Sequence, residues 1–126
     1  MRVLLLCWML AGCAGGVGPT GAEASLRTEV EVADLQAALA GGAPLIDVRT
    51  PGEFASGHVP GAKNIPLDEL PARMGELGDP AAEVFVICEV GGRSAQAASS
   101  LAAAGRRAVN VKGGTRAWKA AGLPVE

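Results

Sequence analysis

The stretch from Val84 to Ser94, VFVICEVGGRS, is the most informative part of this sequence. Its first four residues are apolar and predict a short buried strand, and Cys88 follows directly at the carboxyl end of that strand. Gly91 and Gly92 permit backbone conformations that a side chain would block, so successive N–H groups can turn inward and form an anion-binding nest. A helix predicted to begin with Ser94 as its N-cap adds free N–H groups and the positive end of its dipole.

Cys88 therefore lies where the ionised form of a thiol is favoured. Inward N–H groups and a helix N-terminus lower the pKa of a thiol, which makes it a nucleophile near neutral pH. Arg93 adds a permanent cation to the same loop. The ordinary alternative is an inert cysteine buried at a strand end. The two glycines and Arg93 favour the reactive thiol instead.

Strands and helices alternate along the chain on both sides of this stretch. The predicted strands span residues 28–32, 44–48, 62–66, 84–88 and 107–111, and the predicted helices span residues 32–42, 51–58, 67–79, 94–105 and 115–122. The third helix requires Pro71 in its first turn. Most of the strands are apolar throughout, which is typical of an α/β fold whose parallel sheet is covered on both faces by helices. In such sheets ligands bind beyond the carboxyl ends of the strands, which is where Cys88 lies.

The first residues, MRVLLLCWMLAGC, have the pattern of a bacterial export signal. A basic Arg2 precedes an apolar run that is too short to span a bilayer permanently. Residues 10–13, Leu-Ala-Gly-Cys, resemble the lipobox of bacterial lipoproteins, which implies cleavage before Cys13 and lipidation of that residue. The alternative is an ordinary signal peptide. We predict a signal peptide at 1–12, a flexible tether of small residues at 13–25 and one domain at 26–126.

This N-terminus predicts a cell-envelope protein that a lipid holds on a bacterial membrane, facing the periplasm. Cys7 would leave with the signal and Cys13 would carry lipid, so Cys88 would be the free thiol of the mature chain. The formal charge of −2 and the scattered Lys and Arg residues argue against a nucleic-acid partner. The single histidine, His58, has no neighbouring ligand cluster, so no metal is expected. We expect a monomer.

Three separated segments resemble the motifs of the rhodanese family and occur in that family's order. The pattern Cys88-x-x-Gly91-x-Arg93-Ser94 is similar to its active-site loop. Residues 45–67, LIDVRTPGEFASGHVPGAKNIPL, resemble its Asp-Val-Arg and Gly-His-x-Pro-Gly-Ala signature, and residues 110–125, NVKGGTRAWKAAGLPV, resemble its closing Gly-Gly-x-x-x-Trp segment. The resemblance covers about residues 28–126 and implies a five-stranded parallel sheet with helices on both faces.

The resemblance also implies a sulfurtransferase. In that family a cysteine thiolate takes the outer sulfur of a small donor such as thiosulfate, and passes it to cyanide or a thiol acceptor without a metal or organic cofactor. Carried onto this chain, the nucleophile is Cys88, Arg49 is expected to bridge locally to Glu53, and His58 is expected to act as loop scaffolding. The residues expected to hold the sulfur are Glu89, Val90, Gly91, Gly92, Arg93 and Ser94, and those expected to support the loop are Asp47, Arg49, Glu53 and His58.

Several alternatives stay open. A non-catalytic sulfane-sulfur carrier or a protein-binding module could have the same fold, and a redox switch would need an external partner thiol. Phosphatase and arsenate-reductase relatives have one more residue between the cysteine and the arginine, whereas four residues separate Cys88 from Arg93 here. Glu89 leaves the donor open as well. A carboxylate pointing into the loop would disfavour a dianion such as thiosulfate, whereas one in solvent would have little effect.

Overall fold

The computed structural model describes residues 27–126, in which strands and helices alternate as predicted. The strands are β1 (Glu29–Val30), β2 (Leu45–Asp47), β3 (Lys63–Asn64), β4 (Glu83–Ile87) and β5 (Arg107–Val111). The helices are α1 (Val32–Ala40), α2 (Pro51–Ala55), a 3₁₀ helix (Leu70–Leu77), α3 (Gly92–Ala103) and α4 (Gly114–Ala120). The predicted signal peptide, the predicted lipidation site at Cys13 and the predicted tether lie outside the described residues. Within residues 27–126, no helix is long and apolar enough to cross a membrane.

The five strands form one sheet in the order β1-β5-β4-β2-β3, and every neighbouring pair is parallel. Strand β4 is central, and its Val86 lies opposite Ile46 of β2 on one side and Asn110 of β5 on the other. The predicted five-stranded parallel sheet is confirmed. Because the strands are parallel, their carboxyl ends meet at one edge, and the chain leaves β4 there at Cys88.

The central strand is buried on both faces of the sheet. Val84, Val86 and Cys88 face a core that includes side chains of α3 and the 3₁₀ helix. Phe85 and Ile87 face a second core, to which α1 and α4 contribute. Alternate residues of β4 therefore enter two different apolar cores, which explains why its sequence is apolar throughout rather than alternating.

Trp118 of α4 is 4% exposed and belongs to the second core. Its Nε1–H donates a hydrogen bond of 2.8 Å to the carbonyl of Pro124. The ring is therefore a packing element whose polar atom is satisfied within the fold.

Two of the predicted helices differ from the structure in helix type or in capping. The segment predicted as a helix over 67–79 forms the 3₁₀ helix at Leu70–Leu77, with Pro71 in its first turn as expected. The prediction of Ser94 as an N-cap is wrong, because α3 begins at Gly92 with Gly91 as its N-cap. Gly91 has a φ of 112°, a conformation that glycine adopts without strain, so the chain enters the helix earlier. Ser94 consequently lies in the first turn of α3.

Candidate active site

Cys88 is 1% exposed, and the loop that follows β4 surrounds its sulfur. The N–H of Gly91 donates a hydrogen bond of 3.1 Å to Sγ, and the hydroxyl of Ser94 lies 3.2 Å from it. Burial of the thiol raises its pKa, but hydrogen bonds from Ser94, Gly91 and Val90 outweigh burial and lower the pKa below its ordinary value. The loop therefore stabilises the thiolate, as its sequence predicts.

Helix α4 fixes the direction in which the peptide groups of the loop point. The N–H of Thr115 donates a hydrogen bond of 2.8 Å to the carbonyl of Cys88, and the N–H of Arg116 donates one of 3.0 Å to the carbonyl of Glu89. The Thr115 hydroxyl donates a further hydrogen bond of 3.0 Å to the carbonyl oxygen of Cys88. The first two carbonyls of the loop are thus held towards α4, while the N–H of Gly91 faces the sulfur.

Gly114 allows this close approach of α4 to the loop. Its φ is +61°, and a Cβ at this position would lie 2.6 Å from the carbonyl oxygen of Cys88 and 2.6 Å from that of Glu89. Sequence reasoning assigned no role in the site to Gly114 or Thr115, although both lie in the closing Gly-Gly-x-x-x-Trp segment. Their position in the sequence could have indicated such a role. Two glycines follow β5, the strand next to β4, and so lie at the sheet edge where ligands bind.

Asn110 is a second residue that sequence reasoning missed. It is 5% exposed, and its Oδ1 lies 2.6 Å from the hydroxyl of Ser94. Its Nδ2 donates a hydrogen bond of 3.2 Å to Glu29 on the neighbouring strand β1. A polar residue in the otherwise apolar strand β5 was the signal, because a buried amide needs partners. A series of close polar contacts therefore runs from the sulfur of Cys88 through Ser94 and Asn110 to Glu29 at the edge of the sheet.

Arg49 and Asp47 form a buried ion pair beneath the loop, with exposures of 1% and 0%. The guanidinium donates to both carboxylate oxygens, including a bond of 2.8 Å from Nη2 to Oδ2, and also donates to the carbonyl of Gly57 at 2.8 Å. Burial lowers the pKa of Arg49, but the hydrogen bond and charge of Asp47 more than offset it, so the pKa is raised. Arg49 stays charged and compensates a buried carboxylate.

The expected bridge from Arg49 to Glu53 is wrong. Glu53 instead binds Arg93, with two bonds of 2.8 Å between the guanidinium and the carboxylate. Hydrogen bonding to Arg93 lowers the pKa of Glu53 to about 2. The reason is geometric: Asp47 and Gly57 occupy Nε and Nη2 of Arg49, whereas Glu53 is held at the start of α2 by a capping box with Thr50. The loop cation Arg93 is therefore already paired.

Glu89 adopts neither of the two positions considered from the sequence. Its side chain is 32% exposed, and Oε2 lies 3.3 Å from Nη1 of Arg49. Its other oxygen lies 3.9 Å from Nε of Arg116. Two cations therefore compensate the carboxylate next to the nucleophile. Val90, the following residue, is 53% exposed.

His58 lies in the segment that follows α2. Its Nδ1 is 2.8 Å from the carbonyl of Phe54, its ring stacks on that of Phe54 at 3.6 Å, and its backbone is hydrogen-bonded to Glu126 in both directions. These contacts fit the scaffolding role that was expected. Within residues 27–126, no group of three or more His, Cys, Asp or Glu side chains is arranged to hold a metal ion.

The fold and the loop together define a class of protein: a parallel α/β domain with a stabilised cysteine thiolate at the carboxyl end of its central strand. Four residues separate this cysteine from the loop arginine. The family profile described as rhodanese-like domain matches residues 31–121. The chain belongs to the rhodanese-like domain family.

Individual relatives agree with this assignment. A sulfurtransferase of Allochromatium vinosum is 40% identical over 82 residues, which cover 64% of this chain and 76% of that protein. Thiosulfate sulfurtransferase 16, chloroplastic, of Arabidopsis thaliana is 32% identical over 120 residues, which cover 82% and 97%. The crystal structure of a rhodanese-related protein from Thermoplasma volcanium matches with a TM-score of 0.73 and 33% identity, and covers 79% and 97%.

The family and these relatives support the sulfurtransferase class. Among eight curated relatives, the chain covers between 27% and 97% of the relative's own length. The similarity is therefore limited to the domain and does not extend over the full length of the longer relatives.

Proposed function

We propose that this protein transfers sulfane sulfur through a persulfide on Cys88. The donor is thiosulfate or a small persulfide, and the acceptor is a thiol or cyanide. One observation carries the proposal. The sulfur of Cys88 lies 3.1 Å from an inward N–H group of Gly91, while α4 holds the carbonyls of Cys88 and Glu89 away. Such a site stabilises negative charge on sulfur both before and after the transfer.

In the first half-reaction the Cys88 thiolate attacks the outer sulfur of the donor. A bond forms between Sγ and that sulfur, and the donor's own bond to it breaks. The electron pair of the broken bond leaves with sulfite when the donor is thiosulfate, or with a thiolate when it is a persulfide. With thiosulfate or an ionised persulfide as donor, the new persulfide of Cys88 has a negative charge on its terminal sulfur, within reach of the N–H groups of the loop. With a protonated persulfide as donor, the charge leaves on the thiolate and the new persulfide keeps the proton.

In the second half-reaction the acceptor attacks the terminal sulfur of the persulfide. A thiolate acceptor becomes a persulfide and cyanide becomes thiocyanate, while the bond to Sγ breaks and its electron pair restores the Cys88 thiolate. No other oxidant or reductant is required. Covalent storage divides one transfer into two easier steps, so donor and acceptor need not meet.

The charges around the loop bear on the donor. Glu89 is paired with Arg49 and lies near Arg116, so its carboxylate is not an uncompensated barrier to an anion. Arg93 is paired with Glu53, so it must exchange one carboxylate for another anion before it can bind a dianion. These contacts support a site that accepts thiosulfate and neutral persulfides alike, without a strong preference for the dianion.

The proposal is tested by sulfur loading. The full chain is incubated with thiosulfate or with a small organic persulfide, and the peptide spanning residues 74–93, which contains Cys88, is then weighed by mass spectrometry. We expect a gain of one sulfur atom that is lost on adding cyanide and is absent in Cys88→Ser. If the wild-type chain gains no sulfur from either donor, the proposal is wrong.

A sulfur carrier that releases its cargo only to a docked partner protein is the second candidate. Its specific support is burial, because Cys88 is 1% exposed and a free acceptor must reach it through the loop. Steady-state turnover separates the two. A sulfurtransferase forms many equivalents of thiocyanate per chain when thiosulfate and cyanide are both present, whereas a carrier loads once and releases none of its sulfur to cyanide.

We also propose that the protein is anchored by lipid at Cys13 and faces the periplasm. The support is the sequence of residues 1–13, with its basic start, apolar run and lipobox-like end. In a bacterial host, the wild-type chain is expected in the membrane fraction and Cys13→Ala in a soluble or unprocessed form. Equal partitioning of the two chains would contradict the anchor.

A further inference from the structure

The hydroxyl of Ser94 has one proton and three acceptors within reach. Its oxygen lies 2.6 Å from Oδ1 of Asn110, 3.2 Å from Sγ of Cys88 and 3.2 Å from the carbonyl of Gly91. Ser94 is 0% exposed, so solvent does not supply an alternative partner. A hydroxyl donates one hydrogen bond at a time, so a bond to one of these acceptors is given up by the others.

Glu29 determines which atom of Asn110 faces Ser94. The two residues lie directly opposite each other in the parallel register of β1 and β5, and Nδ2 of Asn110 donates to Glu29 Oε2 at 3.2 Å. An ionised carboxylate accepts hydrogen bonds and donates none, so it orients the amide nitrogen towards itself. The amide oxygen is therefore turned towards Ser94, where it accepts the hydroxyl proton.

Asn110 and Cys88 thus compete for the same proton. When Ser94 donates to Asn110, its lone pairs face the sulfur, an arrangement that suits a neutral thiol, which can donate to them, and that opposes the uncharged inner sulfur of a persulfide less than it opposes a thiolate. When Ser94 donates to the sulfur, it stabilises the thiolate, because hydrogen bonds to charged groups are the stronger ones. The 2.6 Å contact to Asn110 is short for an O–H···O bond, and 3.2 Å to the larger sulfur atom is also a full hydrogen-bond distance, so both acceptors are within range of the one proton.

We propose that Asn110, oriented by Glu29, is a positioning residue that limits how strongly Ser94 hydrogen-bonds to the sulfur of Cys88. By withdrawing the hydroxyl from the thiolate, it shifts the balance of Cys88 away from the free thiolate. The effect on the thiol stands on geometry alone. Destabilising the free thiolate also favours the persulfide form of Cys88, and this consequence rests on the function proposed above.

The test is the pH dependence of alkylation at Cys88. Iodoacetamide reacts with the thiolate, so the rate at which the peptide 74–93 of the full chain is modified reports the pKa of this thiol. The charged groups around the loop are identical in every variant that leaves Glu29 intact. Their effect on the pKa of Cys88 is therefore the same in each of these variants and does not contribute to the differences between them. They are Glu89 and Arg93 from the loop itself, Asp47 and Arg49 from the end of β2, Glu53 from α2 and Arg116 from α4.

We expect Ser94→Ala to raise the pKa of Cys88 by about one pH unit, since it removes a hydrogen bond to a charged group. Asn110→Ala is expected to lower it by roughly half a unit, because Ser94 then donates to the sulfur more often. Asn110→Leu, which refills the space, is expected to do the same. In the Ser94→Ala background either change of Asn110 is expected to have no effect, since Asn110 acts through the hydroxyl.

Glu29→Gln offers a test outside the core, because Glu29 is exposed and its glutamine can turn either end of its amide to Asn110. It is expected to lower the pKa of Cys88, though less than Asn110→Ala does. Glu69→Gln, at an exposed carboxylate on the 3₁₀-helix cap, is the control and is expected to leave it unchanged.

Two results would overturn the proposal. One is an unchanged alkylation profile in the Asn110 variants and in Glu29→Gln. The other is a shift from Asn110→Ala that persists in the absence of the Ser94 hydroxyl, since Asn110 would then act on the fold rather than through Ser94. Failure of the proposed function gives a different pattern, in which wild-type Cys88 gains no sulfur and the coupling between Asn110 and Ser94 is still present.

Discussion

Replacing Arg49 by methionine tests whether the loop rests on a buried ion pair. The change keeps most of the apolar volume and removes the cation, leaving the carboxylate of Asp47 at 0% exposure without its partner. Removal of one member of a buried pair costs about 3–5 kcal/mol in the free energy of unfolding, because a charge is left uncompensated. Domains of this size have unfolding free energies of about 5–15 kcal/mol, so the loss is a large part of the total.

Arg93→Met is the matched control, since Arg93 also binds a carboxylate beside the same loop. Its side chain and that of Glu53 are 39% and 36% exposed, so water screens the pair. Exposed pairs contribute about 0–1 kcal/mol. The two variants therefore remove the same charge from the same neighbourhood and differ mainly in burial.

Urea unfolding followed by far-ultraviolet circular dichroism measures both losses. With a urea dependence of about 1–3 kcal/mol per molar, Arg49→Met is expected to lower the midpoint by about 1–5 M, and Arg93→Met by much less. Adding Asp47→Asn to Arg49→Met removes the uncompensated carboxylate and is expected to recover part of the lost free energy of unfolding. A loss below about 1 kcal/mol in Arg49→Met, or equal losses in the two single variants, would refute the reasoning.

Two further predictions concern α4 and Glu53. Gly114→Ala is expected to abolish most sulfur loading, because its Cβ would meet the loop backbone at 2.6 Å; Gly122→Ala, which has a similar φ of +75° and open space around it, should load normally, and equal loading by both would contradict this. Glu53→Gln frees Arg93 for anions and is expected to raise kcat/KM for thiosulfate about 2–5-fold, but not for a neutral persulfide, whereas Glu76→Gln, at the distant pair with Arg73, should change neither. Because the pKa of Glu53 is lowered from 4.5 to about 2, its carboxylate adds stability that is complete above about 4.5 and is lost as pH falls through about 2; the difference in unfolding free energy between wild type and Glu53→Gln should shrink over that interval, and a pH-independent difference would exclude the carboxylate as its source.

The position of the nucleophile was predictable because the signal for it is local. A continuous apolar run, a cysteine and two glycines follow one another within residues 84–92, and each element constrains the next. The same apolar run also predicted helices on both faces of the sheet. Val84 and Phe85 point to opposite faces of β4, and both are buried.

The pairing of charges around the loop was not predictable from the sequence. Arg49 lies four residues from Glu53, yet it binds Asp47, two residues away, and Glu89, forty residues away. The choice depends on depth: Asp47 is fully buried and needs a permanent cation, whereas Glu53 is half-exposed and meets Arg93 at the surface. Sequence spacing carries no measure of depth, so it could not show which carboxylate pairs with Arg49.

The capping of α3 was missed for a related reason. Serine is a good N-cap, and nothing near Ser94 in the sequence indicates that another group uses its hydroxyl. That group is Asn110, sixteen residues later and on the neighbouring strand. Gly91 then takes the capping position, since its positive φ allows the chain to turn into the helix early.

The bonds from α4 to the loop have a consequence for the order in which the protein is made. Cys88 leaves the ribosome twenty-seven residues ahead of Thr115, whose N–H and hydroxyl hold the carbonyl of Cys88 in place. Strand β1 likewise cannot join the sheet until β5, the strand it pairs with, has been synthesised. Until both arrive, the cysteine is that of an unfolded chain, with no stabilised thiolate and no preformed site for sulfur. The growing polypeptide thus carries its nucleophile in an unactivated form, and reactivity begins when the last helix docks.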